Sequence, residues 1–239
     1  MCRVVKGARI TSPYNVEEYS KEINYLKGID LDCILAPSYI HIREKEIYIL
    51  YQRKLSLHDY LNTHPRQTEE HERIITDDIR LKLAKNIAEA MKELYALDPP
   101  LYHGHLTPKN IFISNINRLT VQIGDVGDGS LRRHAAIFNG YDSRSVFSSP
   151  EVLESGFQQE GGSEAHDIFS YGIILWEIWS EMVPFNDSTP TAVEYVLNGE
   201  SRPKIPANTP ENIKQLIREC WKQTDRTITF RQICKNNWF

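Results

Sequence analysis

The sequence predicts an α+β fold in two unequal parts, a small strand-rich one over residues 1–54 and a larger helical one over 55–239. Three observations carry this. Apolar-polar strand patterns dominate up to about residue 52, and helical spacing dominates from residue 77 onward. The segment HDIFSYGIILWEIWSEM, residues 166–182, is apolar nearly all round, which places a helix in the middle of the larger part rather than on its surface.

Taken in order, RVVKGARI near the start reads as a short strand. NVEEYSKEINYLKG reads as a helix: Asn15 caps it, Glu18 completes a capping box, Val16, Tyr19, Ile23 and Leu26 share one face, and Gly28 stops it. LAPSYIHIRE and EIYILYQR are two strands around a charged turn, and SLHDYLN begins a short helix. The polar stretch THPRQTEEHERI is an exposed loop or helix end. From Asp77 to Leu97, Ile79, Leu83, Ile87, Met91 and Leu94 recur at helical spacing. IFIS and LTVQIGD suit a hairpin, PENIKQLIRECWKQ is an amphipathic helix, and TFRQICKNNWF is a last one.

Composition narrows the function. At 239 residues the chain buries roughly 70–75% of its unfolded surface and needs no staple. A net charge of −4 supplies no basic field for nucleic acid or anionic lipid. The run IFSYGIILWEIW is too short to span a bilayer and holds Glu177. MCRVVKG lacks the apolar core of a secretory signal, so the expectation is a cytoplasmic protein. Cys2, Cys33, Cys220 and Cys234 are too dispersed for a zinc site and read as free thiols. His58, His64 and His71 lie in a solvated region, and His103 and His105 read as loop histidines with ordinary partners rather than metal ligands.

Residues 101–151 are the informative part, with Asp167 opening the apolar helix sixteen residues beyond. LYHGHLTPKNIFIS has the outline of a phosphoryl-transfer catalytic loop, H-R-D-L-x-x-x-N followed by a strand. Asp125-Val126-Gly127 follows, then Ser149-Pro150-Glu151, then Asp167-Ile168-Phe169-Ser170-Tyr171-Gly172. Each piece alone is weak, but the order and spacing together are specific. The chain resembles a protein kinase domain over essentially its whole length. The resemblance sets His103–Asn110 against the catalytic loop, Asp125-Val126-Gly127 against D-F-G, and Ser149-Pro150-Glu151 against A-P-E. Val4-Val5-Lys6 resembles the end of V-A-I-K, and Glu22 falls where the first helix carries the glutamate paired with that lysine. Glu219-Cys220-Trp221 and Phe230 are similar to the tail of tyrosine-kinase-like domains. By this resemblance Lys6, Glu22, Asn110 and Asp125 form a vestigial nucleotide and metal site, able at most to hold magnesium-ATP weakly.

The departures are as informative. The aspartate that orients the nucleophile is His105, the arginine before it is Gly104, and the lysine two positions beyond it is Thr107. A free imidazole titrates near ~6.5 and can accept a proton, but it supplies no fixed negative charge. Losing a positioned base typically removes ~10²–10⁴-fold in rate. Gly104 takes away the cation that would grip a phosphorylated activation segment, whose hydroxyls here include Ser130, Tyr141, Ser143, Ser145 and Ser148. No G-x-G-x-x-G precedes Lys6: either sequence upstream of residue 1 carries it, or the expectation is a reduced small lobe without its first two strands and with an exposed sheet edge. The usual arginine partner of Glu151 falls near Thr227, with Arg226 as the substitute.

Together these departures predict a catalytically inactive domain, a pseudokinase. The His-Gly loop, FSYGIILWEIWSEMVPF and the ECW tail resemble the mixed lineage kinase domain-like pseudokinases, in a truncated, poxvirus-like form without an N-terminal four-helix bundle. That resemblance implies a decoy in the host cytoplasm that binds a receptor-interacting kinase and blocks necroptosis. Two rivals stand beside it: a weakly active kinase using Lys6, Glu22, Asn110 and Asp125, and a scaffold in another pathway.

Overall fold

The computed structural model describes residues 3–9, 28–29, 31–36, 38–43, 46–62, 75–126, 145–155, 163–186, 190–199 and 202–239. The helix expected at 15–28, with Glu22, and the stretch 63–74 lie essentially outside them.

Three strands form the first sheet: β1 (Arg3–Arg9), β2 (Tyr39–Arg43) and β3 (Glu46–Gln52), antiparallel in the order β1-β3-β2. Lys6 lies opposite Ile49 in this ladder. A second sheet runs β4 (Leu55–Ser56), β5 (Ile111–Asn115) and β6 (Thr120–Ile123), so the expected hairpin is present with Ile111 facing Ile123. Residues 33–35 run beside β6. Ile123 N–H donates to the Cys33 carbonyl at 2.7 Å, and Leu35 N–H donates to the Ile123 carbonyl at 2.9 Å. This short parallel contact ties the first fifth of the chain to the strand that leads into Asp125.

The helices are α1 (Leu57–Asn62), α2 (Asp77–Tyr95), α3 (Pro150–Ser155), α4 (Glu164–Ser180), α5 (Pro190–Asn198), α6 (Glu211–Cys220) and α7 (Phe230–Lys235). Helix α2 starts where Thr76 Oγ1 accepts from Ile79 N–H, and it buries Leu83, Ile87, Met91 and Leu94 as the spacing requires. Helix α4 is the central one: every residue from His166 to Trp179 is buried. Several of its polar members find partners inside, although the Trp179 indole N–H does not. Tyr171 donates to the Ala84 carbonyl at 2.9 Å, and Glu177 accepts from Asn62 Nδ2 at 3.3 Å. The last helix opens on a full Thr229–Gln232 capping box and ends at Lys235, short of the chain end. Helices α3 and α5 escape the sequence reading, and a proline at the first helical position starts both.

Cys33, Cys220 and Cys234 are free thiols. Burial, then the hydrogen bond and charge of Glu93, push the Cys33 thiol up to about 12, so it stays protonated and inert at neutral pH. No described helix is long and apolar enough to cross a membrane.

Helix α6 crosses α4 at Gly172. A Cβ there would stand 2.8 Å from Cys220 Cβ, closer than packed atoms approach, and a tight 3.2 Å from Trp221 N. Gly172→Ala should therefore destabilise the fold by about 1–3 kcal/mol despite alanine's better helix propensity, read as a lower midpoint in guanidinium unfolding.

Candidate active site

The loop from Leu101 to Asn110 leaves α2 and returns to β5, and its shape is imposed from the N-terminal turn of α4. Asp167, fully buried there, accepts hydrogen bonds from His103 N–H (2.9 Å) and the Tyr95 hydroxyl on Oδ2, and from Gly104 N–H (2.9 Å) on Oδ1. Its place in the first turn also sets its charge against the positive end of the helix. Burial, followed by the Asp167 charge and hydrogen bond, drives the Tyr95 phenol far above its ordinary value, so it remains a donor at any working pH.

The loop histidine carries its own logic. His103 Nε2 faces the Gly124 carbonyl at 3.0 Å, which can only accept, so Nε2 holds the proton. Nδ1 then accepts from His105 N–H at 3.1 Å. Both ring nitrogens of His103 are thus used in shaping the loop, in keeping with the reading of it as a loop histidine with ordinary partners. Gly104 adopts φ +69°, a left-handed conformation that glycine enters without cost.

Three candidate residues converge on this frame. Asn110 Nδ2 donates to the His105 carbonyl at 3.0 Å, and Gly124 N–H donates to the Asn110 carbonyl at 2.8 Å, one residue before Asp125. Asn110 and Asp125 are both buried, and Asp125 holds φ +57°, a conformation that costs a non-glycine residue about 1–2 kcal/mol. With Asn110 Nδ2 hydrogen-bonded to the His105 carbonyl, Oδ1 is the atom that could meet a cation. An amide oxygen and a carboxylate are the hard donors that magnesium takes. Thr107 is buried, its carbonyl accepting from Asn110 N–H at 2.9 Å, and it brings no charge to the loop. The backbone of Lys6 is placed in β1; Glu22 and Gly127 lie outside the described residues.

Glu151 pairs with Arg226, the substitute the sequence offered for Thr227. The arginine is almost wholly buried. It also donates to the carbonyls of Ala165, Lys222 and Gln223 and lies over the Phe169 ring at 5.3 Å. Burial raises the Glu151 pKa, but the Arg226 hydrogen bond, its own backbone N–H, the Arg226 charge and Ser149 together bring it below the usual carboxylate range. Two residues of the site carried no motif signal, Tyr95 and His166. His166 sits just before Asp167 and bonds both Gly104 and Ser149. Its position beside that aspartate was the one clue available.

The family model described as "Protein tyrosine and serine/threonine kinase" matches residues 3–236, and the chain belongs to that family. Among curated relatives, it is 29% identical over 210 residues to a putative serine/threonine-protein kinase/receptor of Acanthamoeba polyphaga mimivirus, covering 86% of this chain and 12% of the relative. It is 30% identical to a dual specificity protein kinase of Dictyostelium discoideum (74% and 8%). It is 29% identical to a mitogen-activated protein kinase kinase kinase of Caenorhabditis elegans (77% and 24%). The chain thus spans less than a quarter of each of these relatives.

These findings overturn the expectation that the chain is not an enzyme. It carries a protein kinase domain, and the three relatives above are named as kinases. The physical reason is that the departures at Gly104, His105 and Thr107 alter the side-chain chemistry of a loop whose backbone hydrogen-bonded frame they leave standing. Loss of fixed charge at one position lowers a rate; it does not define a family.

Two outcomes are expected. Asp167→Asn turns an NH₂ toward at least one of the donors now facing a carboxylate, and should cost about 1.5–3 kcal/mol in denaturant unfolding. Glu151 has its pKa lowered by folding, so its contribution is present above the ordinary carboxylate value and lost as pH falls through the folded one. Arg226→Gln should flatten the stability loss between about pH 5 and pH 3 in an acid titration followed by circular dichroism.

Proposed function

We propose that this domain is a protein kinase of low turnover that binds magnesium-ATP and transfers its terminal phosphoryl group to a protein hydroxyl. The observation that supports it best is the tie from the Asn110 amide to the His105 carbonyl, with Gly124 N–H on the Asn110 carbonyl. It draws the base position and the two metal-ligand positions onto one frame. In this reading Asn110 Oδ1 and the Asp125 carboxylate hold the cation, and Lys6 contacts the nucleotide from β1. Magnesium, when bound, neutralises charge on the phosphate oxygens. His105 accepts the proton of the attacking hydroxyl through a neutral imidazole. Without the fixed charge of an aspartate, and with Thr107 in place of a lysine, turnover is slow.

Magnesium-ATP at millimolar concentration should raise the unfolding temperature, because a ligand selective for the native state stabilises it. Asp125→Ala should remove both the shift and phosphotransfer. His105→Asp should raise kcat by about 10²-fold or more. A wild-type domain that shows neither shift nor transfer would overturn this reading.

A second reading concerns a partner. β1 is an edge of its sheet among the described residues, and an edge strand can accept a strand from another chain. We propose that this small-lobe face engages another protein kinase of the receptor-interacting type. Selective capture of such a kinase domain over an unrelated one, lost when prolines are placed in β1, is the expected result; equal capture of both would sink it.

A further inference from the structure

The side chain that joins the activation segment to the catalytic loop is His166, and its two ring nitrogens serve the two partners separately. Nε2 lies 3.0 Å from the Gly104 carbonyl, an acceptor, so Nε2 carries the proton. Nδ1 receives Ser149 N–H at 3.2 Å and lies 2.9 Å from Ser149 Oγ, so it is bare. Both groups face a neutral imidazole in one tautomer; the other would set a proton against Ser149 N–H and a lone pair against a carbonyl. The ring is buried, and so is Ser149. His166 is itself fixed at its backbone, where its N–H donates to the N-cap Ser163 Oγ at 3.1 Å.

The neighbours of His166 on α4 each hold one of these two pieces. Asp167 binds the catalytic loop at His103 and Gly104, and Ser170 Oγ donates to the Phe147 carbonyl, in the last described stretch of the activation segment, at 2.7 Å. His166 alone of the three bonds both. It does so through the carbonyl of Gly104, where the kinase pattern has an arginine whose side chain makes a link to a phosphorylated segment.

We propose that His166 is a positioning residue that couples the end of the activation segment to the catalytic loop without phosphate, replacing the charge-based link absent at Gly104. The proposal rests on the reading of the domain as a kinase. The neutral ring is a built-in clamp: Ser149 is held in register with Gly104, one residue from His105, in the unmodified chain. It follows that phosphorylation of the segment is not required to set the geometry of His105.

The test uses the whole chain and separates the two halves of the ring. Asparagine places an acceptor near the Nδ1 position, and glutamine reaches with a donor to the Nε2 position. In ¹⁵N NMR of wild-type protein, His166 should show a protonated Nε2 and a bare Nδ1; the opposite tautomer or an imidazolium at neutral pH overturns the clamp. In hydrogen exchange, the Ser149 amide should stay protected in His166→Asn and exchange at least about fivefold faster in His166→Gln. Equal protection in both variants overturns it as well. In unphosphorylated protein, kcat should fall by about 10- to 100-fold in His166→Ala with KM for ATP nearly unchanged, and His166→Gln and His166→Asn should each recover part of it. Unchanged kcat in all three variants overturns the positioning role. If wild-type protein fails to bind ATP or transfer phosphate, the kinase reading falls while the NMR and exchange results still decide the clamp. If His166→Ala does not fold, the wild-type tautomer and the two conservative variants decide it.

Discussion

A carboxylate with no access to water must find every hydrogen bond inside the protein, and Asp167 finds one hydroxyl and two backbone amides. Those amides belong to His103 and Gly104, so satisfying the buried charge and shaping the catalytic loop are the same event. The donors come from the end of α2 and from the loop beyond it, while the acceptor sits on α4. The bond set therefore also fixes how these two helices meet, with the Tyr95 ring stacked on Phe230 of α7 and Phe230 edge-on to Tyr171 of α4. Leaving any donor unmatched in so dry a place costs more than the bond itself would contribute in water, which is why one acid can organise so much.

From this anchor the site propagates by backbone contacts rather than by long side chains. His103 reads the Gly124 carbonyl, Gly124 reads the Asn110 carbonyl, and Asn110 reads the His105 carbonyl, closing a circuit around the loop. Positions 104, 105 and 107 all contribute backbone groups to this frame: Gly104 N–H to Asp167, His105 N–H and carbonyl to His103 and Asn110, and the Thr107 carbonyl to Asn110 N–H. Chemistry at His105 can therefore depart from the family pattern while the frame persists. Missing side chains alone implied an inert domain; the chain nonetheless belongs to the protein kinase family and resembles proteins named as kinases.

The activation segment is tied at its far end by a different device. Glu151 and Arg226 join α3 to the turn before α7, and His166 and Ser170 join residues 147–149 to α4. The arginine serves five groups at once, which suits a planar, permanently charged fork with little exposure. Its position shows the limit of counting along a chain. Motif spacing pointed to Thr227; the turn around Asp225, which takes φ +56°, delivers Arg226 to Glu151 instead.

Periodicity and motif order are local properties, and the sequence by itself determined what depends on them: α2 with its buried face, the all-round burial of α4, the hairpin of β5 and β6, and the identity of the loop from His103 to Asn110. Helix α3 stayed hidden within Ser149-Pro150-Glu151, read there as a motif, and α5 opens on a proline. Only the tertiary structure decided which groups meet across long separations, such as Tyr95 with Asp167 and Ser149 with His166. It also decided which ring nitrogen of His103 and His166 carries the proton, since that depends on whether the atom opposite is a carbonyl or an N–H. A sequence names the imidazole; its partners, brought together by folding, choose the tautomer.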